Sequence, residues 1–492
     1  MAPLLAIPPF PGARAPAFAV PGIALDADPD MLLAALARHR VGGCYWGRQL
    51  AGPARLDAAN WPADADPWPL LDAAEEVCLP AGDPRALLAL AAGKPVRFTN
   101  GEPVNKHALV DAYLTGWQWR DPFSGAIINL LQAIELCGFW RKPIDDNRDI
   151  AAVLGFAHWK RPTVAPLLWN GQDTPFSGGV PALARGDLVA VWRSRLSKAQ
   201  TAALVGRPVL EVEDGFIRSV GLGADCVPPL SIIVDGAGVH FDPNQPSGLE
   251  LLLQNSVFPP DLLARAQQLR AAIIAGGLSK YERGGSAPLS RPGGSRRHVL
   301  VPGQVEDDRA VTSGGALSSN LELLRRARAE AGPDAYVIYK PHPDVLAGHR
   351  KGLIAEGDMA ALADRTETTA PMAALIAMAD ELHVNSSLAG FEALLRGKPV
   401  TVHGVPFYAG WGLTTDRGPV PARRTARRSL DEVVAAAYLL YPRYLDPETG
   451  LPCPPEVLVQ RLTAAAPTLD PAASAVVTLR RATGRVRRLL GR

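Results

Sequence analysis

The chain has 492 residues, 47% of them apolar, with 51 basic against 49 acidic side chains and a formal charge of +2. At about 150 residues per domain it is too long for one ordinary core and suggests roughly three units. The near balance of charge leaves no global field that favours nucleic acid. Cys44, Cys78, Cys137, Cys226 and Cys453 are odd in number, scattered and without a CxxC pair. That argues against a disulfide framework and a zinc site, and for a reducing cytoplasm. Met1 to Gly12 has no basic leader and is broken by prolines, and no window reaches the roughly 20 apolar residues of a membrane span, so neither secretion nor spanning is expected.

From Met1 to about Gly101 the sequence is rich in Pro and Ala and offers few candidates for chemistry, but it repeats later. Ala74–Leu79 followed by Ala86–Val96 echoes Ala379–Val384 followed by Glu392–Val400, and Ala112-Tyr-Leu with Asp121 and Gly125 echoes Ala437-Tyr-Leu with Asp446 and Gly450. The early copy is about 21 residues shorter between the two matches and lacks counterparts of Ser386, Ser387 and Phe407–Gly412. Residues 1–125 therefore read as a degenerate remnant of a duplicated Rossmann-like domain; Ala/Leu-rich helices also repeat by chance.

Residues 126–165 read as helical, with Ile127, Leu130, Leu131, Ile134 and Leu136 on one apolar face. Leu188–Trp192 reads as a buried strand, Ser197 as the N-cap of a helix through Leu204, and Val209–Glu213 as the next strand. Strand character recurs at Leu230–Val234 and Gly238–Phe241, and residues 261–275 form an amphipathic helix. Residues 276–297, rich in Gly, Ser, Pro and Arg, read as a linker. A second series follows, with strands at His298–Pro302, Tyr336–Tyr339, Glu381–Val384 and Pro399–Val402 and helices at 320–330, 372–379 and 388–395. Strands alternating with helices predict two doubly wound parallel sheets, one over 126–275 and one over 298–440, facing a cleft, with 441–492 as a C-terminal segment.

Ligands in such folds lie beyond the carboxyl ends of the strands, where the distinctive residues fall. Glu213 and Asp214 end a strand before Gly215; successive strand side chains face opposite ways, so Asp214, nearer the turn, reads as the reacting group and Glu213 as a supporting acid/base or a structural carboxylate. Lys340-Pro-His342-Pro-Asp344 presents a cationic pair on a proline-stiffened loop, suited to a phosphate or else to a solvated turn; a metal site from His342, Asp344 and His349 is disfavoured, since no other ligand cluster accompanies it. Ser386 and Ser387 stand between a strand and a helix, where first-turn N–H groups hold an anion, although Ser is also an ordinary N-cap. Phe407–Gly412 is a glycine-punctuated aromatic loop that could stack on a sugar or cytosine ring, or pack between domains.

Together and in this order, Glu213–Gly223, Pro302–Asp308, Lys340–Pro343, Asn385–Glu392, Gly404–Thr414 and Tyr441–Pro447 resemble the capsule β-Kdo transferases of the KpsC type, over roughly residues 120–463. The acidic pair with Gly, the His-Pro and the Ser-Ser are also similar to the signature of bacterial GT-B sialyltransferases, which use the same kind of CMP-sugar. The resemblance implies a metal-independent α/β fold of GT-B type without a cofactor, retaining transfer of Kdo from CMP-β-Kdo, and a Kdo-bearing lyso-phosphatidylglycerol acceptor that anchors capsule. By the same resemblance Asp214 takes the sugar covalently, Glu213 supports it, and Gln304, Lys340, His342, Ser386, Ser387 and Glu392 hold the nucleotide. Arg218, Asp307, Tyr408 and Trp411 fall to the substrate, and other capsule proteins are expected partners. Family members commonly carry two complete modules, whereas this chain shows one preceded by a worn copy, which implies a single linkage type or extension of a primer begun elsewhere. Another CMP-sugar transferase, and a non-catalytic glycolipid-binding component of capsule assembly, are the rival readings.

After Asp470 the chain has no acidic residue and carries Arg480, Arg481, Arg485, Arg487, Arg488 and Arg492 among Val476, Val477, Leu479, Val486, Leu489 and Leu490. Such an end suits the anionic inner face of the inner membrane, or else a disordered basic tail.

Overall fold

The structure, a computed structural model, describes residues 2–22, 28–219, 227–279, 289–348 and 350–464. The basic C-terminal tail and Val220–Gly223 of the acidic-pair stretch lie outside the described residues. The chain divides into two compact units: Met1–Leu154 with Arg161–Val189 and Leu445–Pro452, and Gly155–Lys160 with Ala190–Tyr444 and Cys453–Arg492.

The first unit is built on a three-stranded parallel sheet, Arg55–Asp57, Glu76–Leu79 and Val96–Phe98 in that order, and a three-stranded antiparallel sheet of Ala19–Pro21, Trp117–Arg120 and Ile127–Ile128. The helix Leu130–Asn147 starts on a reciprocal cap, with Asn129 and Gln132 each satisfying the other's backbone N–H. It buries Ile134, Cys137, Trp140 and Ile144 in the same core as Leu32, Leu36, Leu71 and Leu87. The boundary expected near residue 125 thus falls inside this unit, because that helix has its apolar partners on the N-terminal side. Residues 126–165 are also not helical throughout: Ile150–Leu154 is a strand, a five-residue apolar run whose Ala pair masked its strand character.

The repeated sequence has repeated local structure. Helix Lys106–Val110 runs into the π-turn Asp111–Thr115 and then the strand Trp117–Arg120, as helix Leu430–Val434 runs into the π-turn Ala435–Leu440 and the strand Pro442–Leu445. Each strand then enters a turn closed by a positive-φ glycine: Gly125 donates to Asp121 O at 2.8 Å, and Gly450 to Asp446 O at 2.8 Å.

The second unit contains a six-stranded sheet, parallel throughout, in the order Arg365–Thr366, Tyr336–Lys340, His298–Pro302, Glu381–Val384, Val400–Val402, Thr415–Asp416. Its strands His298–Pro302, Tyr336–Lys340 and Glu381–Val384 are largely buried, as a sheet covered on both faces requires, while the edge strands Arg365–Thr366 and Thr415–Asp416 are short and polar. The other sheet differs from the expected parallel one. Val209–Asp214 pairs antiparallel with Ser231–Asp235, which pairs antiparallel with Pro442–Leu445. A parallel partner needs a crossover, usually helical, and among the described residues no helix lies between Asp214 and Ser231. Gly238–Phe241 is turn and coil rather than strand, with Asp235 accepting from the backbone of Ala237 and Gly238. Within the expected linker, Arg291 is tied down by Asp380 at 2.8 Å and the Met378 carbonyl at 2.9 Å. Among the described residues no helix is long and apolar enough to cross a membrane.

Candidate functional site

The carboxyl end of the Val209–Asp214 strand opens on a cavity of about 320 Å³ in the second unit, and Glu213 and Asp214 both line it. Gly215 follows at ordinary negative φ, so its role is close approach: a Cβ there would run into the Ser231 side chain. That contact keeps the strand end tight against its neighbour, where Gly215 N–H donates to Ser231 O at 3.0 Å.

The two carboxylates sit in unlike surroundings. Asp214 lies between cations, with Oδ1 3.3 Å from Lys160 Nζ and Oδ2 2.8 Å from Arg218 Nε. Lys160 is buried, its ammonium 3.2 Å from the centre of the Trp192 ring, and burial pushes it down to about 8 against the pull of Asp214. Glu213 accepts from Arg309 Nη1 at 2.7 Å. Burial nevertheless drives it up to about 7; Arg309 opposes the shift and the Asp214 charge reinforces it. One carboxylate is thus clamped by two cations while its neighbour exchanges a proton near neutrality, a division that suits a nucleophile beside an acid/base.

Gln304, His342, Ser386 and Ser387 line the same cavity. Gln304 bridges two strand ends: its Oε1 accepts from Ser386 N at 2.9 Å and its Nε2 donates to Ser386 Oγ at 3.2 Å. Its own N–H is held by Asn320 at 2.8 Å. Ser387 caps the helix Leu388–Leu395, accepting from Ala389 N. His342 caps the short helix Pro343–Leu346; its Nδ1 accepts from Asp344 N at 3.2 Å, which leaves Nε2 as the protonated nitrogen of the neutral ring.

Other expected site residues are placed differently. Lys340 is buried and donates to Ala370 O at 2.8 Å, so the cationic pair is split and only His342 reaches the wall. Proline fixes the backbone here, but the lysine still belongs to the strand and follows its alternation. Arg218 is fully buried, its guanidinium on Asp214, Ser219 and the Val227 carbonyl, so it acts through Asp214 rather than as part of the wall. Asp307 is an ion-pair partner of Arg350, at 3.1 Å, and it is Arg350 that lines the cavity. Glu392 is buried within its helix and off the wall. Trp411 is fully buried with Nε1 donating to Phe407 O at 2.7 Å, and Tyr408, though at the wall, gives its hydroxyl to Ser387 O. The buried Arg424 fixes the loop by donating to Pro406 O at 2.8 Å and Ala409 O at 2.9 Å. Trp411 is therefore packing, whereas Pro406, Phe407 and Tyr408 of the same loop reach the cavity wall, the Phe407 ring 4.6 Å from that of Phe216, which lines it too.

Lys160, Arg309, Arg350 and His240 carried no expectation from the sequence, and Asp344 entered only as part of the Lys340–Asp344 loop. Arg309 had a signal, since it directly follows Pro302–Asp308; Lys160 had none, standing 54 residues from its partner.

A family model described as "Capsule polysaccharide biosynthesis protein" matches residues 187–444. The lipopolysaccharide-processing protein LpsZ of Rhizobium meliloti is 49% identical over 332 residues, covering 64% of this chain and 74% of LpsZ. The capsule polysaccharide modification protein LipA of Neisseria meningitidis serogroup A is 39% identical over 347 residues, 69% of this chain and 49% of LipA, so the chain spans about half the length of that relative. Among solved structures, Thermosulfurimonas dismutans KpsC, beta Kdo 2,4 transferase, superposes with a TM-score of 0.56 at 33% identity, over 64% of this chain and 98% of that one. With a family match across more than half its length, running through both carboxylates and the Ser386–Ser387 wall, the chain belongs to the capsule polysaccharide biosynthesis family, of the KpsC type.

Proposed function

We propose that the chain is a retaining glycosyltransferase that moves Kdo from CMP-β-Kdo to a lipid-linked Kdo acceptor in capsular polysaccharide biosynthesis. One observation carries the reading: adjacent carboxylates of unlike environment, Glu213 and Asp214, line one cavity with His342 and the Ser386–Ser387 helix start. In the first step an Asp214 oxygen forms a bond to the anomeric carbon as the bond to the CMP phosphate oxygen breaks, and CMP leaves with that electron pair. His342 Nε2–H, the Ser387 hydroxyl and the first-turn N–H groups meet the phosphate without a metal ion, while Ser386, whose hydroxyl donates to Ala310 O at 2.9 Å and accepts from Gln304, holds the turn in place. In the second step the acceptor hydroxyl attacks the same carbon, Asp214 departs and Glu213 takes the hydroxyl proton; two displacements restore the configuration.

The parallel sheet and the sheet that carries Val209–Asp214 would serve as the halves of a GT-B arrangement, and the repeated local structure of the first unit supports a worn duplicate. The basic tail would hold the enzyme at the inner face of the inner membrane, where a lipid acceptor is met. Since the similar KpsC structure is described as a β-Kdo 2,4 transferase, a 2,4 linkage is the first product to look for.

The test is incubation of purified protein with CMP-Kdo generated in situ and a synthetic Kdo glycolipid, followed by mass spectrometry. Absence of product from the wild type overturns the reading. Asp214→Asn should lose turnover and keep CMP binding, while Glu213→Gln given donor alone should carry one Kdo mass on the intact protein.

A further inference from the structure

Arg309 is the first residue of the helix Arg309–Gly314, and its guanidinium spans two carboxylates of a single strand. Nη1 lies 2.7 Å from Glu213 Oε1 and Nη2 lies 3.0 Å from Glu211 Oε2. Residues two apart on a strand share a face, so a planar fork can bridge them where the point charge of a lysine cannot. Glu211 is itself pinned, buried and bonded through Oε1 to Arg193 Nε at 2.6 Å. The Phe241 ring lies 5.1 Å from the guanidinium carbon. Arg309 is thus braced by Glu211 and Phe241, and the end of its fork holds Glu213.

We propose that Arg309 is the positioning residue for proton transfer at this site: it fixes the Glu213 carboxylate in place and sets its proton affinity, while Glu211 and Arg193 fix Arg309. The functional half of this inference rests on the reading of Glu213 as the base. The charged and titratable groups around Glu213 are Asp214 and Glu211 on its own strand, Lys160 from the His158–Lys160 turn, and Arg309 from its helix. Tyr441, whose hydroxyl is bonded to Asp235 at 2.6 Å, also feels the Glu213 charge, and His240 lines the same cavity. Burial and the two neighbouring carboxylates favour the protonated form, and Arg309 is foremost among the groups that oppose them. Its removal leaves burial and like charge in command, so Glu213 gives up its proton only at higher pH.

The experiment titrates the resting protein first. In protein carrying [13C]glutamate, with Glu213→Gln identifying the carboxyl signal, the midpoint of Glu213 should rise by about one pH unit or more in Arg309→Gln and by less in Arg309→Lys. An unmoved midpoint in Arg309→Gln overturns the proposal. Turnover is then measured against pH: the acidic limb of kcat should follow the same order, with the KM for donor at high pH unchanged. A donor KM raised at every pH with the limb in place would make Arg309 a phosphate ligand instead, and would also overturn the proposal. Because the titration needs no substrate, it stands whether or not Kdo transfer is observed, so failure of the transferase reading and failure of the Arg309 assignment are separate results.

Discussion

The ammonium of Lys160 lies 3.3 Å from Oδ1 of Asp214, and the same nitrogen rests 3.2 Å from the centre of the Trp192 indole. Lysine is the group that changes charge here. Its proton affinity is pushed down to about 8 by burial, so the cation that holds Asp214 is present below that pH and is lost as pH rises through it. The rate of transfer should therefore fall on the alkaline side near pH 8. Lys160→Met should remove this limb and lower kcat by about tenfold to a hundredfold, the scale of a misplaced reacting group. Lys160→Arg should keep most of the rate and carry the limb beyond pH 10. Initial rates between pH 6 and pH 10 decide the matter, and a wild-type profile flat across pH 7–10 would release Lys160 from any role.

Glu213 should cost the protein stability. Its carboxyl titrates near 7 in the folded chain, against an ordinary value of 4.5. Folded protein therefore binds the proton more tightly than unfolded chain, so stability is fullest below the unfolded value and is lost as pH rises from about 4.5 through about 7. The cost at pH 8 is on the order of 3 kcal/mol. Glu213→Gln should raise Tm at pH 8 and leave it nearly unchanged at pH 4.5, while removing the acidic limb of the rate profile. Equal Tm changes at the two pH values would show that the buried charge is not the cause.

Much of the site was legible because its residues stand where a strand ends: Asp214 after Val209–Glu213, and Ser386 after Glu381–Val384. Strand direction was legible in the 298–440 sheet, where helices alternate with strands, but not in the other: the antiparallel pairing of Ile233 with Glu213 depends on a connection without a helix among the described residues, and no local period records that. The partners of the carboxylates were hidden for a similar reason. Lys160 and Arg309 reach them from 54 and 96 residues away, and a single lysine or arginine in a sequence carries no mark of the charge it will face. Aromatic residues misled in the other direction, because Trp411 in a glycine-rich loop reads the same whether it faces a ligand or a core.

In the first unit, Asp66 is fully buried and receives Arg141 at 2.6 Å and Arg148 at 3.2 Å, while also capping the helix Pro67–Ala73 through Trp68 N. Arg141 is nearly as buried and leans further on the carbonyls of Arg40 and Tyr45. Both arginines also reach Asp145, at 2.9 and 2.7 Å, so taking away Asp66 leaves them part-paired and costs less than the about 3–5 kcal/mol of a fully broken buried pair. Asp66→Ala should lower Tm sharply, and Asp66→Asn less, because the amide still caps the helix but cannot answer two guanidinium groups. A Tm within a degree of wild type for Asp66→Ala would mean that the ion pair and cap contribute almost nothing.

Trp411 separates packing from recognition. Its indole is fully buried, its Nε1–H donates to Phe407 O at 2.7 Å, and the Arg424 guanidinium stands 5.7 Å from its ring. Trp411→Phe keeps an aromatic ring and removes the donor, which should cost about 1–3 kcal/mol if the Phe407 carbonyl is left without its bond. Trp411→Ala adds a large void and should cost about 3–5 kcal/mol. Neither change removes a group from the cavity wall, so Trp411→Phe, assayed well below its melting point, should bind donor with an unchanged KM. Should KM rise severalfold while Tm stays put, the indole would have to be touching the nucleotide or sugar, and the loop that buries Trp411 would have to open during turnover.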